Sequence, residues 1–249
     1  MINQDEVLFE YNKLKEFMRP YLKNSLKIRD ERQNSAVRKE FSVKGETIHR
    51  GFYCPSPVFD IVVGNCNRGN LLNRLTSRSK PNYIYYYDEN NRITVVEKHH
   101  SLGTDYELLW YVDNAVMSVG FENGNRLGYY TKCVYDGEKI LSYDYYKNLD
   151  YRKNIDTHFL GCEYYEADKC IDYRGETYRY IDGTFKAVDI DTVTVIIVGM
   201  ETIHRKTYSF KLDNEGYLST YFAEDRWFTQ NKNHSVNEYE YEVNLKRKI

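Results

Sequence analysis

The chain has 249 residues, 41% of them hydrophobic and 29% charged, with only four prolines and fourteen glycines. That composition excludes a disordered or linker-rich protein and suffices for one large β domain or two ordinary ones. A formal charge of −2 hides an asymmetry, because residues 1–80 hold fifteen Lys and Arg against nine Asp and Glu while residues 81–249 hold twenty against twenty-eight.

An acidic C-terminal two-thirds is a poor nucleic-acid surface, since phosphate binding needs clustered Lys and Arg; it suits a basic protein partner. The start, MINQDEVLFEYNKL, is acidic and amphipathic, without the apolar segment of a signal peptide. No run approaches the ~20 apolar residues of a membrane helix, so a cytoplasmic protein without a membrane partner is expected. Cys54, Cys66, Cys133, Cys162 and Cys170 are odd in number and form no CxxC, which reads as reduced, mostly buried thiols. A Cys162–Cys170 disulfide across a hairpin is the less favoured alternative.

In chain order, Val7, Leu8, Tyr11, Leu14, Phe17 and Met18 recur at helical spacing and predict an amphipathic helix that Pro20 should stop or kink. A second short helix, or an irregular basic piece, is expected in RDERQNSAVRKEF. From about Phe41 the period becomes two, suggesting the first strands. SPVFDIVVGNCNRGNLLNRL then carries a buried-type strand at Val58 to Val63, a Gly/Asn turn and a short helical LLNRL.

From Tyr83 the chain reads as successive β-hairpins. YYYDENNRITVV ends a strand at Asp88, turns through Glu89 to Asn91 and resumes at Ile93. FKLDNEGYLSTY repeats that spacing around Asp213 and Gly216. The shared form D-x-x-[N/G]-x-[I/L] has a physical basis: Asp accepts backbone N–H groups inside the turn, and Asn or Gly tolerates the left-handed conformation that returns the chain. Shorter relatives lie at Asp113–Asn114, Asp136–Gly137 and Asp182–Gly183, with a weaker one in YYEADKCIDY.

Twenty-three of the 26 tyrosines follow residue 80. Alternation puts Tyr83, Tyr85 and Tyr87 on one face and Ile84 and Tyr86 on the other, so neither face is simply polar. Most of these rings are expected to pack a wide, curved sheet, with hydroxyls reaching water.

YYYDENNRITVV, VYDGEKILSYDYY and FKLDNEGYLSTY resemble the tyrosine–aspartate hairpins of bacterial YD repeats and the related MORN-like hairpins, over roughly residues 81–225. Such arrays occur in small bacterial proteins encoded beside polymorphic toxins, which they neutralise. The resemblance implies architecture first, and an immunity function second.

Several constellations invite chemistry and favour a plainer explanation. His99 and His100 are adjacent on a strand, where neighbours point apart, so they make no metal site. ETIHR occurs twice, at Glu46–Arg50 and Glu201–Arg205; adjacent strands would bring His49 near His204 as a base or metal pair, but exposed strand edges explain both. GNCNRGN has glycines and Arg68 yet lacks the Lys-[Ser/Thr] of a phosphate loop, and reads as a tight turn. Cys66 has only Arg68 nearby to activate it. RLTSRSKP is expected to be a solvated connector.

The resulting expectation is a mainly β protein with N-terminal helices: a helical segment over 1–40 packed on a large twisted sheet of antiparallel meandering hairpins over 41–249, forming one folded unit. Its function is non-catalytic protein binding, as a bacterial immunity protein that occludes a basic toxin domain. No cofactor, metal or catalytic residue is assigned. The partner face is assigned to Tyr143, Asp144, Tyr145, Tyr146, Tyr164, Tyr165 and Glu166. The alternatives are a hydrolase or nuclease built on the repeated Glu-Thr-Ile-His-Arg strands, and a carbohydrate- or surface-binding module.

Overall fold

The computed structural model describes residues 4–43, 70–72, 74–75, 80–123, 125–137, 139–148, 170–182, 184–196, 199–212, 218–229 and 232–242. Two helices open it, α1 (Gln4–Leu22) and α2 (Ser25–Ser35). Thirteen strands follow among the described residues: β1 (Arg38–Val43), β2 (Asn70–Leu72), β3 (Tyr83–Tyr87), β4 (Ile93–His100), β5 (Gly103–Val112), β6 (Ala115–Glu122), β7 (Arg126–Asp136), β8 (Lys139–Asn148), β9 (Cys170–Ile181), β10 (Thr184–Ile196), β11 (Gly199–Leu212), β12 (Leu218–Thr229) and β13 (Lys232–Glu242). The protein is mainly β with N-terminal helices, and its sheet is an antiparallel meander. The described chain divides into two compact units, Asn12–Ile140 and Leu141–Ile249 with Met1–Tyr11.

In the first unit the strand order is β2-β1-β3-β4-β5-β6-β7, antiparallel throughout. Leu14 and Met18 of α1 are buried one turn apart, as helical spacing requires. Pro20 does not stop α1 at once: the helix runs to Leu22 and breaks at Lys23 and Asn24, where Asn24 N–H donates to Tyr21 O at 3.2 Å. The expected helical LLNRL is instead strand at its start, Leu71 and Leu72 lying opposite Ser42 and Phe41 of β1. Two adjacent leucines carry no period of their own, and the neighbouring strand decided them.

The tyrosines of β3 are a wall. Tyr85, Tyr86 and Tyr87 are all buried, although they alternate between faces. Tyr83 and Tyr85 stack at 6.3 Å on one face. On the other, the Tyr86 hydroxyl donates to Glu97 at 2.8 Å, and Gln33 of α2 donates to the same carboxylate at 2.7 Å. A bulge between Tyr86 and Tyr87 then brings the Tyr87 hydroxyl to Glu40 of β1, with Arg38 3.6 Å above the Tyr87 ring. Buried phenols thus anchor their hydroxyls on a buried carboxylate, Glu40, and a half-buried one, Glu97, which gives both groups a partner.

The hairpin at Asp88 follows the expected chemistry. Asp88 Oδ1 accepts from the backbone of Asn90 and Arg92, each at 2.9 Å, and Oδ2 accepts from the Arg92 guanidinium at 3.1 and 3.0 Å. Asn91 has φ 58°, the left-handed turn position. Replacing Asp88 by Ala removes all four bonds from a half-buried site and should cost about 1–2 kcal/mol in urea unfolding, with Asp88→Asn losing less because it keeps an acceptor. In the tighter hairpins the aspartate has a different task. Asp113 and Asp182 have φ 52°, and Asp113 with Asn114 closes a two-residue loop between paired Val112 and Ala115. These aspartates occupy the left-handed corner themselves, as the twist-matched hairpin turn demands. Gly137 fills that role after Asp136, with φ 58°. The turn at Asp213 and Gly216, Val58 to Val63 and YYEADK lie outside the described residues.

In the second unit the order is β8-β9-β10-β11-β12-β13, again antiparallel. Val7 and Tyr11 of α1 are buried in this unit, with the Tyr11 ring 5.9 Å from Tyr146. No helix among the described residues is long and apolar enough to cross a membrane.

Candidate functional site: an open sheet face

Register sorts the residues of the second unit into two faces. Tyr143, Glu176, Tyr178, Tyr221 and Ala223 lie on one, and all are buried. Glu176 sits inside it, accepting from the Tyr178 hydroxyl at 2.5 Å and lying 3.4 Å from Arg174. The other face has a covered end and an open end. At the covered end Tyr146 and Tyr173 are buried, 5.1 Å apart, against Tyr11. Gly175 permits this, because any Cβ there would overlap the Tyr173 phenol, whose hydroxyl reaches Asp144 at 2.8 Å.

At the open end Thr177, Arg179 and Ile181 of β9 are exposed, as are Ser209 of β11 and Phe222 of β12. Two cross-strand rows run through it. One reads Thr177, Asp189, Thr207, Glu224, Glu238, and the next reads Arg179, Ala187, Ser209, Phe222, Glu240, each from β9 to β13. Small residues separate the charged positions, and Phe222, 38% exposed, is the large apolar group among them. Glu224 and Glu238 are directly opposite in register. Arg179 donates to Asp189 at 3.0 Å, with Arg179 53% exposed. A third row, Gly175, Asp191, Arg205, Arg226, Val236, borders the acidic row with two opposed arginines. By register the three rows are banded in charge, with more acidic than basic positions.

Four of the seven residues assigned to the partner face fall among the described residues. Tyr143 and Tyr146 are 3% and 2% exposed and lie in the interior. Their rings are held by packing: Arg174 lies 5.8 Å over Tyr143, and Tyr146 is wedged between Tyr11 and Tyr173. Asp144 and Tyr145 are half-buried. Tyr164, Tyr165 and Glu166 lie outside the described residues, as do His49 and Cys66. His204 lies on β11 opposite Thr192 and Trp227. Alternation reveals which residues share a face, not which face is open.

The two histidines of β4 serve their hairpin. His99 Nδ1 meets Thr104 Oγ1 at 3.2 Å and its Nε2 lies 3.7 Å from Glu97. His100 Nδ1 accepts from Leu102 N–H at 3.2 Å and its Nε2 lies 3.1 Å from Asp105. Burial opposes ionisation of Asp105, but the Asn123 backbone N–H and His100 hold its carboxyl below the ordinary value. The rings point to opposite faces, so they cannot converge on one ion. A shallow groove of about 540 Å³ beside them is lined by Pro81, Ile84 and Lys80. Among the described residues no group of three or more His, Cys, Asp or Glu could hold a metal. Glu107, Ser118 and Thr131 form a hydroxyl–carboxylate chain across β5, β6 and β7, but each is 2% exposed or less, out of reach of any substrate.

No protein-family model matches the chain, and no curated protein matches it in sequence.

Proposed function

We propose that this protein is a protein-binding module acting without catalysis, a bacterial immunity protein that neutralises a cognate toxin by covering its active site. The observation that supports the reading best is the open face of the second unit, where Phe222 stands among Asp189, Glu224 and the positions of Glu238 and Glu240. A rigid sheet loses little entropy on docking, an exposed aromatic supplies the anchor, and acidic rows steer a basic enzyme surface toward it. The aspartate-turned hairpins and their likeness to YD and MORN-like arrays point to the same class, and the proposed site of action is the cytoplasm.

The test is co-expression with the toxin encoded beside it. The expected result is restored growth and a complex that co-purifies at low salt and weakens as salt rises. A toxin whose lethality is unaffected by co-expression would overturn the reading.

A further inference from the structure

The first unit carries a groove of its own, where the chain enters β3 and leaves β4. Its walls are Lys80 to Asn82 with Ile84 on one side and His99 to Ser101 on the other, and it holds about 540 Å³. Backbone hydrogen bonds fix those walls. Beyond the last β3–β4 pair, Tyr83 with Lys98, the His99 N–H donates to Asn82 O at 2.7 Å. The Asn82 N–H donates in turn to Ser42 O of β1 at 2.7 Å. The groove is therefore formed before anything enters it, which spares a ligand the entropy of ordering its site.

Its chemistry follows from which polar atoms are already engaged. His99 Nδ1 meets Thr104 Oγ1, His100 Nδ1 accepts from Leu102 N–H, and both Nε2 atoms are buried, so the two rings offer carbon rather than donors. With Pro81 and Ile84 they make an apolar floor. The carboxylates beside the rings are engaged as well, Glu97 by Tyr86 and Gln33, and Asp105 by the Asn123 N–H. The side chains of Lys80, Asn82 and Ser101 have no partner among the described residues, and Lys80 and Ser101 are exposed. A carbon floor bordered by an unpaired ammonium, an amide and a hydroxyl suits a flat apolar body that ends in one negative charge. We propose that this groove binds a small planar carboxylate, its ring over Pro81, Ile84 and the imidazoles and its charge at Lys80 and Ser101. A phosphate would bring a second charge that one ammonium leaves uncompensated beside Glu97 and Asp105, and no arginine fork lines the groove to meet it. The site belongs to the first unit and is independent of the protein-binding reading.

The experiment titrates the full chain with naphthoate, with the neutral naphthalenemethanol of the same shape, and with inorganic phosphate, by calorimetry at low salt and neutral pH. Naphthoate should bind with a Kd of about 0.1–1 mM, as a shallow groove with a solvent-screened cation allows. The alcohol should bind about three- to fivefold more weakly. Lys80→Met keeps the apolar stem and removes the charge, so it should weaken naphthoate by about the same factor and leave the alcohol unchanged. Lys98→Met removes an exposed charge of β4 outside the groove lining and should change either affinity by less than about 1.5-fold. Backbone amide resonances should shift at Asn82, Ile84 and His99 to Leu102 and stay fixed on β6 and β7. Equal affinity for acid and alcohol, a naphthoate affinity that survives Lys80→Met, shifts confined to other strands, or no binding at about 10 mM would each overturn the proposal. Phosphate displacing naphthoate at equal concentration would overturn the choice of a carboxylate.

Discussion

Above about pH 10 this protein should lose stability steeply, with its tyrosines as the cause. Burial raises the phenol of Tyr146, assisted by Asp144, Glu10 and Glu6 around it. Burial also raises Tyr86 and Tyr87, each further raised by the carboxylate its hydroxyl bonds, Glu97 and Glu40 respectively. Tyr111 and Tyr106 are raised by burial as well. The sign follows from linkage. In the unfolded chain these phenols ionise near their ordinary value, about 10, while the folded chain keeps them neutral to higher pH. Their contribution is therefore complete below about pH 10 and is lost as pH climbs from there toward the raised folded values. Each such tyrosine removes up to about 1.4 kcal/mol per pH unit over that window, so three acting together remove ~4 kcal/mol per unit. Set against a total of about 5–15 kcal/mol for a folded domain, one pH unit decides the outcome. The expected record is a urea midpoint that the tyrosines leave unchanged from pH 7 to 9 and that collapses by about pH 11, with tyrosinate absorbance appearing in the same cooperative step. Tyrosinate appearing gradually near its ordinary pH, with the β signal intact, would show that these rings are not held as described.

The hairpins could be read from the sequence because turn chemistry is local. Asp88, Asp113, Asp136–Gly137 and Asp182 mark reversals that the structure shows, and the residues needed to make each turn lie within a few positions of it. The mainly β class follows from the same signals, and the leading helix from the three- and four-residue spacing of its apolar residues. What escaped depends on distant partners. Leu71 and Leu72 are strand because Phe41 and Ser42 lie beside them. Tyr146 is interior because Tyr11, at the other end of the sequence, packs against it. The acidic row is invisible until register is known, and register here is displaced by irregularities between Lys211 and Leu212 and between Trp227 and Phe228. Each extra residue moves every later side chain to the opposite face, so a pairing guessed from alternation alone separates Glu224 from Glu238. Carboxylates bonded by tyrosine hydroxyls were equally hidden. Glu40, Glu97 and Glu176 look like surface residues until the tyrosine hydroxyls that bond them are in place.

Replacing Arg32 by methionine should cost about 3–4 kcal/mol, far beyond what a helix surface residue usually contributes. Arg32 stands where β4 and β5 part. Their ladder runs from His100 and Gly103 to Val95 and Leu108 and goes no further, although β5 continues to Val112 beside β6. Thr94 and Leu109 are the next residues along, beyond the last β4–β5 pair. Arg32 Nη1 donates to both carbonyls, at 3.1 and 2.8 Å, and its guanidinium lies 4.5 Å over the Trp110 ring. The Tyr111 hydroxyl completes the seal by donating to Ile93 O at 2.8 Å. Burial pulls the Arg32 pKa down, and Tyr21, Asp88 and Tyr111 oppose it. Methionine keeps much of the volume but supplies no donor, so two carbonyls lose their bonds and water must enter a seam closed by Trp110 and α2. Arg32→Lys keeps the charge but loses the planar fork that stacks on Trp110, and should fall between the two. Lys27→Met, on the exposed side of α2, should stay within about 0.5 kcal/mol. Urea unfolding gives the totals, and amide exchange gives the location: in Arg32→Met protection should fall first at the parting ends of β4 and β5, while β6 and β7 keep theirs. A loss under about 1 kcal/mol, or exchange rising evenly over the sheet, would mean that water fills the seam at little cost and that α2 is not the clamp it is taken for.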